Sequence, residues 1–356
     1  MHPTFPGPEW DRVDPAEAGF DEDRLADARR DLEEASVEDD PRRMDAIEGE
    51  NPYRVVVVRD GRIVAEWNNE IDPGERAPAG RMASATKSVY SSILGIAVAE
   101  GTIPSPDAKL ADYFPEALEV LPGEGPKEGR HARHKDREIT LRQLIANTSG
   151  YLKPGEPPGE VKHYQTYGMN VLTHAIASRY GLYDPDDPDG CPGFEVLMDT
   201  RLRIPLRADW GYYRYNFDLH DDARLEHFGY YPGINASARD MARLGWLWCN
   251  YGEWEGEQIV PESWLREAVA PAPAEREADP EDAMIDTYGY GFWTNARGEL
   301  FPSLPEDSFA AMGAGGMVIW VCPGLDLVVA QSPGPFYRDT LDDELLPAVV
   351  DAVEDP

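Results

Sequence analysis

Ser84-Ala85-Thr86-Lys87 sets a hydroxyl and an amine three residues apart. The stretch that follows is mostly apolar, with Val89, Ile93 and Ile96 at helical spacing and Tyr90, Leu94 and Ala97 widening the face. This periodicity predicts a buried helix over Ser84–Glu100, stopped by Gly101. Residues i and i+3 share a helix face, so the Lys87 amine can reach the Ser84 hydroxyl. A serine hydroxyl is a weak nucleophile until a base takes its proton. A lysine can be that base in its neutral form, which burial favours, whereas an arginine stays charged. The positive end of the helix lies beside Ser84 and favours an alkoxide and an oxyanion. Alone, this spacing occurs in any helix rich in Ser and Lys. Here the chain's only lysines are Lys87, Lys109, Lys127, Lys135, Lys153 and Lys162 in an arginine-rich background. A lysine at the head of an apolar helix therefore needs a reason.

The elements that must hold this pair follow from the rest of the pattern. Leu25, Ala28 and Leu32 predict an amphipathic helix after a Pro-rich entry. Tyr53–Val58, Asp60-Gly61 and Ile63–Trp67 read as strand, hairpin turn and returning strand. Helices are expected near Thr140–Asn147, Tyr167–Tyr180, Ser237–Tyr251 and Pro261–Val269, with Ser237-x-x-Asp240 a capping-box-like start. Pro/Gly-rich loops separate them at Leu121–Arg130, Lys153–Glu160 and Asp184–Gly193. Strands return at Tyr288–Thr294, Gly316–Val321 and Leu325–Ala330, and Thr340–Val353 closes the chain as a helix N-capped by Thr340. Strands at both ends with helices between give an α/β (α+β) fold. One antiparallel sheet is built from both chain ends and flanked by helices, beside a mainly helical lobe. A single domain over 15–356 is expected, its sheet lobe at about 15–95 and 285–356 and its helical lobe at about 96–284.

The 356 residues carry 67 acidic and 33 basic side chains, a formal net charge of -34. Such a surface repels nucleic acid and anionic membranes. It also destabilises the compact state unless salt screens it, so a halophilic protein is expected. No apolar run approaches the roughly 20 residues of a membrane span, and Met1–Trp10 has no signal-peptide pattern, so the expected location is cytoplasmic. Cys191, Cys249 and Cys322 are too few and too widely spaced for a disulfide framework or a zinc knuckle. Cys249 and Cys322 read as small buried hydrophobes.

Met82-Ala83-Ser84-Ala85-Thr86-Lys87-Ser88 resembles the nucleophile segment of the class C β-lactamase and D-alanyl-D-alanine peptidase family, which also holds serine esterases and amide hydrolases such as 6-aminohexanoate-dimer hydrolase. The resemblance continues in order. Ile139–Gly150 is similar to the family's "I-T-[IL]-R-x-L-L-x-H-T-S-G", with Asn147 in place of the His, and Gly233–Arg243 to its "G-x-x-x-[ST]-A-R-D-[LM]-A-R". The matches run from about residue 50 to 332. The resemblance implies that Tyr164, in Tyr164-Gln165-Thr166, fills the Tyr of the family's Y-x-N motif and shares proton transfer with Lys87. Thr166 replaces the Asn. It further implies that Ala311-Met312-Gly313-Ala314 fills the K/H-x-G motif, with Ala311 in place of the cation. Gly313 would admit substrate to the backbone, and the Ala314 and Ser84 amides would form the oxyanion hole. Thr166, Ala311 and Gly313 would line the substrate site.

Loss of the cation removes an anchor for a substrate carboxylate and favours a neutral ester or amide. The expected function is a serine hydrolase working through an acyl-enzyme on Ser84, with a small-molecule ester or amide substrate and neither metal nor organic cofactor. Two alternatives stand beside it: a true β-lactamase or D,D-peptidase on the same fold, and a catalytically silent binding or filament-forming scaffold. His131-x-x-His134 reads as loop histidines and not a metal pair, and no G-x-S-x-G elbow is present. Trp246, Trp248 and Trp254 read as core. Tyr212, Tyr213 and Tyr215 fit the cleft wall and plain packing equally.

Overall fold

The computed structural model describes residues 3–37, 53–68, 78–184, 186–187, 190–216, 230–276, 280–334, 336 and 345–354. In chain order the elements are α1 (Glu22–Val37), β1 (Arg54–Arg59), β2 (Arg62–Asn68), β3 (Gly80–Arg81), α2 (Thr86–Ala99), α3 (Leu141–Ile145), α4 (Tyr167–Arg179), α5 (Glu195–Met198), β4 (Gly211–Asn216), β5 (Tyr230–Ala236), α6 (Ala238–Cys249), β6 (Glu253–Trp254), β7 (Glu257–Gln258), α7 (Glu262–Ala268), β8 (Trp293–Thr294), β9 (Phe309–Gly313), β10 (Met317–Cys322), β11 (Leu327–Gln331) and α8 (Leu345–Asp351).

The valine run of β1 is buried along its length, as suits a central strand covered on both faces. It pairs antiparallel with β2 and with β11, Val57 facing Val329. Asp60 and Gly61, at φ 51° and 73°, make the tight left-handed turn into β2. The complete antiparallel sheet runs β2-β1-β11-β10-β9-β8, so strands from the two chain ends lie side by side, as expected. Ser237 caps α6 by accepting the Asp240 amide N–H, and α6 packs on β1, β10 and β11 with Trp246 and Trp248 wholly buried. Cys249 and Cys322 are buried free thiols. α1 packs on α8, which ties the outer ends of the chain together. Among the described residues no helix is long and apolar enough to cross a membrane.

The region between the sheet-forming ends is less purely helical than the sequence suggests. β3, β5 and β4 form a second antiparallel sheet of three strands, and β6 and β7 a short hairpin. The expected strand over Tyr288–Thr294 is regular only at β8, because Gly289–Gly291 turns the chain back so that Tyr288 bridges Trp293. The expected N-cap Thr340, and parts of the acidic stretches at Asp184–Gly193 and Glu275–Asp282, lie outside the described residues. α2 runs through the middle of the molecule. It is buried from Thr86 to Ala97 and touches β9 on one side and α3, α4, α5 and α7 on others. Its first turn is the point at which the sheet meets the helices.

Candidate active site

Ser84 stands in a short 3-10 turn, Ala83–Ala85, immediately before α2. The turn is fastened at several points. Met82 N–H donates to Ile234 of β5, and Ala85 N–H donates back to Met82. Ala83 holds φ 47°, the left-handed region that a residue with a Cβ rarely adopts. The Tyr213 phenol accepts the Ala83 N–H at that strained residue, and the Arg81 guanidinium lies 5.2 Å from the Tyr213 ring centre. Burial pushes the Tyr213 hydroxyl up to about 12, with the Ala83 N–H and Arg81 pulling the other way. So Tyr213 packs at the Ser84 turn, while Tyr212 points elsewhere, donating to Asp199.

One turn on, Lys87 is buried, and its Nζ lies 2.6 Å from Ser84 Oγ and 3.0 Å from Tyr164 Oη. The three groups named from the sequence are thus in one hydrogen-bonded chain, although Tyr164 is 77 residues from Lys87. Ser88 Oγ donates to the Gly291 carbonyl and pins the same turn of α2 to the loop before β8. That loop and strand enclose the Tyr164 ring. Trp293 stacks on it at 5.7 Å and 21°, Tyr288 meets it edge-on at 5.7 Å, and Lys87 Nζ lies 4.7 Å from its centre.

Asn147 explains how the Tyr164 main chain is held. It is buried at φ 59°, a conformation Asn tolerates better than most residues. Its carbonyl accepts the His163 N–H at 2.8 Å, and its side-chain Oδ1 accepts the Gln165 N–H at 3.0 Å. Both amides that flank Tyr164 therefore bond to one residue. His163 turns away, its Nδ1 3.1 Å from Glu156. Burial would raise the Glu156 carboxyl, but His163, Lys153 and Arg130 together hold it below its ordinary value. Lys162 is buried and donates to the carbonyls of Asp286, at 2.6 Å, and Tyr288, at 3.2 Å.

The third strand segment closes the site. A Cβ on Gly313 would stand 2.1 Å from the Met82 carbonyl oxygen, 3.0 Å from Ala85 N and 3.1 Å from Ser84 N. Only a glycine lets β9 lie this close to the Ser84 turn. Ala314 is exposed at the start of the turn into β10, where Gly315 and Gly316 have φ 80° and 68°. Ala311 is buried opposite Ile319, two residues from Gly313 on the same strand face, and offers only a methyl group. Thr166 precedes α4 in helical backbone, and its hydroxyl caps nothing. The structure thus brings Ser84, Lys87, Tyr164 and Gly313 together, and leaves Thr166 and Ala311 without an evident polar role. The aromatic cage of Tyr288 and Trp293, the Lys162 clamp and the Asn147 brace carried no local signal beyond the departure at Asn147. Among the described residues no group of His, Cys, Asp and Glu could hold a metal ion.

A profile of the beta-lactamase family matches residues 46–333. The chain belongs to the beta-lactamase family. No curated protein sequence matches it. Solved structures do. A protein assigned as a beta-lactamase from Bacteroides dorei superposes with a TM-score of 0.65 at 16% identity, covering 94% of this chain and 99% of its own. A family VIII carboxylesterase gives 0.61 at 16%, covering 93% and 96%. A protein assigned as a 6-aminohexanoate-dimer hydrolase from Bacillus anthracis gives 0.55 at 19%, covering 85% and 77%. At these identities the likeness is one of fold, and it bears out the α/β reading. The names given to these neighbours point to different bonds, so the substrate must be argued from this chain's own residues.

Proposed function

We propose that the protein is a serine hydrolase of neutral carboxylic esters or amides. The observation that carries this reading is the contact of Lys87 Nζ with both Ser84 Oγ and Tyr164 Oη. Ser84 attacks the substrate carbonyl while its proton passes to the Lys87–Tyr164 pair. The same pair returns the proton to the departing alcohol or amine. An ester of Ser84 with the acyl group remains, and water cleaves it with the pair again acting as base. The Ser84 and Ala314 amides hold the oxyanion, and Gly313 keeps their two segments in register. A substrate carboxylate finds no cation at Ala311, and the net charge of -34 further disfavours anionic substrates. The structural neighbours carry carboxylesterase and 6-aminohexanoate-dimer hydrolase assignments beside the beta-lactamase one, so the choice against β-lactams rests on Ala311.

The test is turnover of p-nitrophenyl acetate by the wild type and by Ser84→Ala in concentrated KCl, with nitrocefin in parallel. Ester turnover lost in Ser84→Ala supports the reading. Efficient nitrocefin turnover replaces it with a β-lactamase, and a folded but inert wild type replaces it with a silent scaffold. The acidic surface is part of the same proposal as a salt adaptation, supported by charge alone. A melting midpoint that stays level from dilute to molar KCl contradicts it. Cytoplasmic residence also belongs to this reading, since free thiols at Cys191, Cys249 and Cys322 suit a reducing compartment.

A further inference from the structure

Tyr164 reaches Lys87 from an irregular segment, not from a helix or strand. Such a segment has to be fixed from outside. Toward the helices, Asn147 bonds the amides of His163 and Gln165. Toward the surface, Val161 bridges Arg276, whose amide donates to the Glu160 carbonyl and whose guanidinium pairs with the Glu160 carboxylate at 2.6 Å. These bonds go to residues other than those of the wall against which the Tyr164 ring rests. That wall is a tight reversal of the chain: Tyr288 bridges Trp293, Thr294 Oγ1 donates to the Thr287 carbonyl, and the Tyr288 and Trp293 rings meet at 4.8 Å.

The geometry points to Lys162 as the positioning residue that fastens Tyr164 to this wall. The inference rests on the role of Tyr164 in proton transfer proposed above. Lys162 lies two residues before Tyr164, and its Nζ donates to the Asp286 and Tyr288 carbonyls. These carbonyls lie at the end of the 3-10 helix Pro280–Thr287, where a positive charge is favoured. One bond goes to Tyr288 itself, whose ring touches Tyr164 edge-on. The stem of Lys162 is buried, and an amine placed there has no use for a surface ion pair. Ser88, the Ala272 N–H and β9 hold the wall in any case, so letting go of these carbonyls loosens the segment that carries Tyr164 from the wall, and the phenol then leaves its 3.0 Å contact with Lys87 Nζ.

Burial pushes the Lys162 amine down to about 8, with the Asp286 carboxylate opposing and Arg297 adding to the fall. Charged and titratable groups of the neighbouring chain are engaged with one another: Glu160 with Arg276, His163 with Glu156, and Tyr164 with Lys87. Below about pH 8 the clamp is an ammonium with charge-assisted bonds, and above it a weaker neutral donor. The wild-type kcat should therefore decline on the alkaline side of about 8.

The experiment is the pH dependence of p-nitrophenyl acetate hydrolysis for the wild type, Lys162→Met, Lys162→Arg, Tyr164→Phe and the double variant Lys162→Met/Tyr164→Phe, with Ser84→Ala alongside. Lys162→Met should lose about 10- to 100-fold in kcat, the scale of a misplaced group, with KM within about twofold and no inflection near pH 8. It should cost nothing further in the Tyr164→Phe background, because two residues acting as one unit are not additive. Lys162→Arg should keep kcat within about threefold and move the alkaline limb upward, since guanidinium stays charged. The inference is overturned if Lys162→Met keeps wild-type kcat, or if it costs the same factor with and without the Tyr164 hydroxyl. Where Lys162→Met fails to fold by circular dichroism, a folded Lys162→Arg with an unchanged limb overturns it instead. A Ser84→Ala enzyme that remains active brings down the parent reading. A dead Ser84→Ala beside an unaffected Lys162→Met brings down the clamp alone.

Discussion

Replacing Gly313 with alanine adds one methyl group at the tightest junction of the site. The added carbon would stand 2.1 Å from the Met82 carbonyl oxygen, more than 1 Å inside the roughly 3.3 Å at which a carbon and a carbonyl oxygen meet comfortably. The next atoms, Ala85 N and Ser84 N at 3.0 and 3.1 Å, are also backbone, so no rotamer can move aside. β9 and the Ser84 turn must part by about 1 Å. Oxyanion donors act at about 2.7–3.1 Å, and losing one costs about 10²–10³ in kcat. We expect Gly313→Ala to lose at least about 100-fold in kcat on p-nitrophenyl acetate, with KM changed far less. Overpacking of this kind costs about 1–3 kcal/mol, too little to unfold the chain at room temperature. Circular dichroism at the assay temperature and a melting curve separate the two effects. A well-folded Gly313→Ala enzyme within threefold of wild-type kcat would refute the argument that this contact sets the oxyanion geometry.

Asn147→Ala should cost about 2 kcal/mol in denaturant unfolding, about half from a side chain held at φ 59° and half from the lost Gln165 bond, and should lower kcat through Tyr164. Asn147→Gly keeps the backbone freedom and should recover only the first half; equal values for the two variants would dismiss the strain. His174 is buried between Phe114 and Tyr183, with Nδ1 2.7 Å from the Asn170 carbonyl, and burial pushes it down to about 4. The unfolded chain takes its proton near pH 6.5, so stability should fall as pH drops from about 6.5 to 4, by up to about 3 kcal/mol at about 1.36 kcal/mol per pH unit. Urea midpoints at pH 7 and 5 for wild type and His174→Gln test this, and an identical acid loss in the variant would remove His174 as its source.

What could be read from the sequence was what local chemistry decides. The valine run with Asp60-Gly61, the apolar face of α2 and the Ser237 cap of α6 each carry their own signal, and each formed as expected. The second sheet was hidden because β3 is two residues long and β5 contains Pro232 and Gly233, which argue against a strand until partners supply the hydrogen bonds. β9 was visible only through its family motif, since Phe309–Gly313 has no alternation to mark it. In the site, the Ser84–Lys87 spacing is a property of one helix turn and was legible. Tyr164 needed the family's order of motifs, because nothing within 77 residues of chain fixes its distance. Trp293, Tyr288, Lys162 and the brace at Asn147 depend on which loops meet in space, which periodicity does not encode.

The pairing of β1 with β11 also bears on how the protein is made. Val55–Val58 leave the ribosome long before Val328–Gln331, and meanwhile a valine-rich strand has no partner for one of its edges. Ser84 is translated early as well, yet its turn is completed by Gly313. A chain truncated at residue 300 should therefore be inert, its long-range pairings unmade. The net charge of -34 acts in that interval as well: mutual repulsion between chains disfavours pairing of the exposed strand with a copy of itself before its own C-terminal partner is synthesised.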